Sequence, residues 1–171
     1  MVKTILDNFC VKSGVLCPKC EEKVVKGQVS KLDLDIIQLL CEVEKDYPSI
    51  QEVTFNKAVE VENFLAILVN KADMAKILSQ GGKIIKEISA RTKKRIRILT
   101  YGGDERQFLE DLLNPFSILT INTIWLPDDS TETKAILYGR APKRVPVHFD
   151  IIKRLAKEIR GMTLRIEFEK N

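Results

Sequence analysis

The stretch Ile77–Ile88 reads ILSQGGKIIKEI, and its adjacent glycines interrupt an otherwise continuous helical pattern of apolar residues. Glycine in a helix interior costs roughly 1 kcal/mol relative to alanine, so two in succession predict a break. The apolar periodicity resumes after the break with Ile84, Ile85 and Ile88, and a lysine follows the glycines directly. The segment therefore predicts two short helices joined by a glycine turn, with cationic side chains opening the second. Any fold for this chain has to accommodate that corner.

The flanking sequence supplies the rest of the unit. In SKLDLDIIQLLCEVEKDYP, Ser30 is placed as an N-cap with Asp33 three residues on, a carboxylate variant of the capping box. Ile36, Ile37, Leu40 and Val43 then form one helical face, and Pro48 lies past the end. Residues 50–69 alternate and are rich in β-branched side chains, with Glu62-Asn63 as a reversal between two antiparallel strands. Asn70-Lys71-Ala72-Asp73 opens a short helix, a second runs from Lys83 to about Thr92, and Arg95–Tyr101 alternates as a strand. The order is helix, strand, strand, helix, glycine loop, helix, strand.

Much of that order repeats downstream. Asp104–Asn114 is a predicted helix stopped by Pro115; Ser117–Leu126 and Thr133–Gly139 are strands about the turn PDDS; Val147–Arg160 is a helix closed by Gly161; and Thr163–Phe168 is the last strand. One helix and the glycine loop are missing, and GRAPKRVP stands in their place. The expected fold is α+β, with three segments: a cysteine-containing one at 1–29, a unit with the glycine loop at 30–103, and a degenerate copy at 104–171. The 44% apolar content is sufficient for packed cores.

This element order, with a glycine loop between the two later helices, resembles the KH domain in its bacterial and archaeal type II arrangement. That family's loop has the form Gly-x-x-Gly followed by a basic residue. Ser79-Gln80-Gly81-Gly82-Lys83 matches it with Ser79 at the first glycine. The tandem arrangement resembles archaeal NusA-like proteins. The resemblance implies single-stranded RNA binding connected with transcription elongation and termination, with phosphate clamped by Gly81, Gly82 and Lys83. RNA polymerase or the ribosome are the implied assemblies.

The chemistry of the residues agrees with an anion site. Glycines let the backbone approach a phosphate without an intervening Cβ, and the loop feeds a helix N-terminus that favours anions. Lys83 and Lys86 add charge on the first turn, and Arg91, Lys93, Lys94, Arg95 and Arg97 follow within seven positions. Net charge is only +4, but residues 64–127 hold 10 basic against 6 acidic groups, whereas residues 1–63 hold 8 against 11. A local basic excess of this kind suits attraction to a nucleic-acid backbone. Arg140, Lys143, Arg144, Lys153, Arg154, Lys157 and Arg160 make the second unit basic as well, and a supporting role is assigned to it.

Cys17-Pro-Lys-Cys20 is a CxxC turn, with Cys10 seven positions before it. Such turns present two thiolates to one metal, commonly zinc, and a closed site needs four ligands. Asp7, at Asp7-x-x-Cys10, is the fourth candidate; Cys41 competes with it but falls in a helical apolar pattern, and His148 is remote. A structural Zn2+ site at Asp7, Cys10, Cys17 and Cys20 is expected, with a redox dithiol as the alternative.

No P-loop, nucleophile elbow or HExxH occurs, so no enzyme activity is expected. Asp128-Asp129 reads as a hairpin turn, and Trp125 as a core or interface residue. No apolar run reaches the roughly 18 residues of a membrane span, and MVKTILDNFC is too short in its apolar part for a signal peptide. A cytoplasmic, non-membrane protein is expected. The competing functions are a ribosome- or rRNA-associated factor and a protein-interaction adaptor whose KH-like units no longer bind RNA.

Overall fold

The computed structural model describes residues 1–144 and 148–170. The start of the helix expected at Val147 and the final Val-Pro of GRAPKRVP lie outside them. The fold is α+β, with two three-stranded sheets and a division into two compact units. Unit 1 comprises Met1–Ala58 and Asn63–Gly102; unit 2 comprises Val59–Glu62 and Gly103–Asn171.

Unit 1 is organised on helix α3 (Lys31–Asp46), which follows α1 (Asn8–Ser13) and α2 (Pro18–Val25). The capping box forms as the sequence predicts: Ser30 Oγ accepts the Asp33 N–H at 3.0 Å, and Asp33 Oδ2 accepts the Ser30 N–H at 2.9 Å. The second Asp33 oxygen accepts the N–H of Ala58 at 2.8 Å, inside the protein. Ala58 belongs to strand β1 (Phe55–Val61), so one carboxylate both starts the helix and ties it to the sheet.

A two-residue turn at Glu62-Asn63, with Glu62 at φ 53°, leads into β2 (Phe64–Val69). All six β2 residues are buried, as expected of the central strand of the order β1-β2-β3. β3 (Arg95–Thr100) pairs with β2 in parallel, from Phe64 opposite Arg95 to Val69 opposite Thr100. A parallel pairing requires a crossover. It is made by a short 3₁₀ turn, α4 (Met74–Ile77), the glycine loop and α5 (Lys83–Thr92). Ile36, Ile37 and Leu40 of α3 share one apolar cluster with Leu65, Ile67 and Val69 of β2 and with Ile84 and Ile88 of α5.

The first 29 residues carry no periodicity that predicts structure, yet Val2, Leu6, Cys10, Val11, Cys20 and Val29 are buried in that same cluster. Lys3 bridges Thr54, its N–H donating to Val53 O at 2.7 Å while its carbonyl accepts from the Phe55 N–H at 2.8 Å. The segment is thus built into unit 1. Its two helices span only 6 and 8 residues, below the length at which isolated helices hold in water, and tertiary packing supplies what local propensity lacks.

In unit 2, α6 (Glu105–Leu113) is capped by Asp104, whose carboxylate accepts the Gln107 N–H at 2.7 Å. Strands β4 (Ile118–Trp125) and β5 (Thr131–Arg140) are antiparallel, and β5 pairs in parallel with β6 (Leu164–Lys170) through a connection that carries α7 (Phe149–Arg160). Phe108, Leu109, Leu112 and Leu113 of α6 and Ile151, Ile152, Leu155 and Ala156 of α7 are buried. The rings of Phe116, Phe149 and Phe168 close one end, with centroids 5.5 to 5.9 Å apart. Asp128 and Asp129 form the β4–β5 turn, where Asp128 accepts the Ser130 N–H at 3.1 Å. Trp125 is exposed, at 74% of its surface, because it stands at the end of β4 against the turn.

Candidate functional site

The corner between α4 and α5 is built from three successive residues in the left-handed region: Gln80 at φ 60°, Gly81 at φ 65° and Gly82 at φ 80°. The two glycines carry no Cβ penalty there; Gln80 carries one of about 1–2 kcal/mol. A Cβ built on Gly81 or Gly82 would meet nothing within 4 Å, so the backbone of this turn faces open space.

Ser79, which stands at the first glycine of the KH pattern, has φ −69° and ψ 175°, ordinary for any residue. Its hydroxyl turns back to donate to Lys76 O at 2.7 Å and lies 3.5 Å from Ser49 Oγ. Ser79 is therefore held without backbone strain.

No side chain caps the N-terminus of α5, so its first N–H groups have no partner from within the helix. Ile84 and Ile88 face inward, which leaves Lys83 and Lys86, one turn apart, exposed on the outer side. The downstream cations diverge. Arg91 is held by Glu87 at 2.9 Å and by Glu42 of α3 at 3.0 Å, an ion-pair cluster that braces α5 on α3. Lys93 is exposed at the left-handed end of α5, and Lys94 is half-buried. Arg95 lies over the Phe64 ring at 5.6 Å from its centroid. Arg97 is half-buried, and desolvation pushes its guanidinium below its ordinary pKa. Five basic residues close in sequence thus occupy distinct environments, with Arg91 and Arg95 engaged within the protein.

The cysteine segment converges. The donor atoms of Asp7, Cys10, Cys17 and Cys20 all lie within 4.8 Å of one another, close enough to hold one metal ion. With metal–sulfur bonds of about 2.3 Å, tetrahedral zinc sets its sulfurs roughly 3.8 Å apart. Cys10 comes from α1, Cys17 precedes α2 and Cys20 lies in the first turn of α2. The Cys17 N–H donates to Cys10 Sγ at 3.2 Å and the Asp7 N–H to Cys20 Sγ at 3.4 Å.

The thiols are free and differ in acidity. At Cys10 the Cys17 N–H favours the thiolate, but burial and the proton shared with Cys17 and Cys20 outweigh it and push the thiol up to about 11. At Cys17 the backbone N–H of Cys20 and hydrogen bonding from Cys10 hold the thiol below its ordinary range. Cys41, on α3, and His148 lie outside the group. Nearby in sequence, Ile5, Phe9, Val15 and Val25 are exposed large apolar residues.

Among the described residues, no helix is long and apolar enough to cross a membrane. No family model matches the sequence, and no curated protein matches it. The chain is similar in structure to the solved protein described as "Crystal structure of APE1850", with a TM-score of 0.50 and 17% sequence identity over 75% of this chain and 96% of that one. At that identity the likeness concerns the fold alone.

Proposed function

We propose that the protein binds single-stranded RNA through the glycine corner of unit 1, as a NusA-like tandem KH protein acting in transcription elongation and termination, with zinc held in its N-terminal segment. The observation that carries this reading is the open left-handed turn Gln80-Gly81-Gly82 leading into an uncapped helix whose first turn exposes Lys83 and Lys86. The helix dipole and two ammonium groups act on the same point, where a phosphate is stabilised. Lys93 extends the positive field, while Arg91 serves as a brace. The pairing of Arg91 and the partial burial of Arg97 are what favour the rival reading, a protein adaptor.

Asp7, Cys10, Cys17 and Cys20 hold the zinc in this reading; three thiolates and a carboxylate suit that ion, which supplies a cross-link between α1 and α2. The exposed Ile5, Phe9, Val15 and Val25 make the surrounding segment a docking surface for a protein partner such as RNA polymerase.

Fluorescence anisotropy with short single-stranded RNA tests the main claim. Binding is expected to weaken with salt, with a logarithmic slope of about −0.7 for each phosphate neutralised. Gly82→Asp, which puts a Cβ and a negative charge at φ 80°, should lower affinity by about 100-fold or more, or ~2.7 kcal/mol. Lys153→Glu on α7 should change it less than about twofold, well under 1 kcal/mol. Absence of binding at low salt, or indifference to Gly82→Asp in a protein that keeps its circular dichroism, would establish the adaptor. Metal analysis decides the zinc: a metal-free protein whose cysteines titrate as a dithiol near neutral pH is a redox protein instead.

A further inference from the structure

The four donors of the metal group are not equivalent. Cys10 and Cys20 are 2% and 0% exposed, and each sulfur accepts a backbone N–H. Both are fixed by the fold. Cys17 is half-buried, and Asp7 is exposed. The group therefore has a closed side made of two thiolates and a side that meets solvent at the carboxylate.

Asp7 also departs from the behaviour of its position. It is the N-cap of α1, with extended φ −66° and ψ 140°, yet its side chain makes no capping hydrogen bond. Aspartate at an N-cap ordinarily accepts a backbone N–H from the first turn. Here Oδ2 instead lies 3.4 Å from Cys17 Sγ, accepting its proton, and so is aimed at the sulfurs. A carboxylate is the hardest donor of the set, and thiophilic ions prefer thiolate over it.

Resting on the zinc reading above, we infer that Asp7 is the exchangeable ligand of this centre, and that a small thiolate from solution replaces it while the three cysteines stay bound. The exchange is a ligand substitution: the metal–carboxylate bond breaks, a metal–sulfur bond forms, and the incoming thiol loses its proton to solvent. The three cysteine sulfurs keep the ion in place throughout, and the freed carboxylate moves into water, which it already faces.

Cobalt(II) substitution in the full-length protein tests this, with 2-mercaptoethanol as the probe. The wild-type protein should show a thiolate-to-cobalt charge-transfer band that grows by about one third as the thiol is added, since three cobalt–sulfur bonds become four. Asp7→Cys should start with the stronger band and not respond. Asp7→Asn, which leaves the shape of the side chain unchanged, should respond at lower thiol concentration than the wild type, and it carries the test if Asp7→Cys does not fold. A wild-type band that stays constant up to millimolar thiol overturns the inference while leaving the metal centre standing. An equal response in wild type and Asp7→Cys also overturns it, since another ligand is then the one that leaves. A protein with no charge-transfer band has no thiolate centre, and the zinc reading fails together with the inference.

Discussion

In unit 1 the chain crosses from β2 to its parallel neighbour β3 through α4, the Gln80–Gly82 turn and α5; in unit 2 it crosses from β5 to β6 with α7 as the only helix among the described residues. The two sheets are otherwise alike: a hairpin followed by a third strand parallel to the second. The described residues of unit 2 thus make a parallel crossover without a glycine corner. The glycine corner is an addition to that topology, and it places a non-glycine residue, Gln80, in the left-handed region. A fold that does not require the corner leaves its cost to be explained by what the corner presents to solvent. Unit 1 differs a second time in having the segment whose four donors could hold a metal ion built into its core.

The largest test of this difference is metal removal. If the group holds zinc as proposed, the ion at a free concentration a thousandfold above its dissociation constant stabilises the folded state by about 4 kcal/mol. Chelation should lower the urea midpoint of the protein accordingly. Hydrogen exchange should accelerate in α1, α2 and α3 while α6 and α7 keep their protection. Equal acceleration in both units would break the distinction between them.

Next in size is the contrast between two helix starts. Asp33→Ala in unit 1 removes the capping box and orphans the buried N–H of Ala58, at an expected cost of about 2–4 kcal/mol. Asp104→Ala in unit 2 removes one exposed cap and should cost about 1 kcal/mol. Chemical denaturation of both variants measures the gap, and equal losses would mean that the strand tie contributes nothing.

Acid should affect unit 1 in a related way. Burial raises the Asp73 carboxyl, but the Thr54 N–H at 3.0 Å and Lys76 outweigh it and hold the group below the ordinary carboxylate range. A depressed folded pKa contributes stability above the unfolded value, roughly pH 4, and that stability is lost as pH falls through the folded pKa. Denaturation midpoints should therefore drop on acidification below about pH 4, and Asp73→Asn should flatten that part of the profile. The smallest effect belongs to the corner: Gln80→Gly relieves the left-handed strain but loosens the unfolded chain, for a net gain of up to about 1 kcal/mol. The proposed RNA affinity should be unchanged in this variant, since the backbone path is kept.

How much of this was legible varies with the range of the interactions involved. Ser30 and Asp33 announced α3 because a cap is a contact between residues three apart. The bounds of α5 and β3, and the Glu62-Asn63 reversal, followed from apolar periodicity and turn chemistry in the same local way. Helices α1 and α2 were not legible, since their buried residues are held by partners far along the chain. At the candidate site, the glycines and Lys83 could be read from spacing. The commitment of Arg91 to Glu42 could not, because it depends on a residue 49 positions away.

The sequence by itself determined the order of the elements, the α+β class, the break at Gly81-Gly82 and the three cysteine donors of a candidate metal group, each through spacings within about one or two helical turns. Only the tertiary structure decided that residues 1–29 belong to the core of unit 1, and that Asp7, rather than Cys41 or His148, completes the donor group. It also decided which cations near the corner face solvent and which brace the fold. The physical reason is the same in each case. Local pattern fixes how a segment curls, but burial and pairing are settled by whichever distant surface that segment meets.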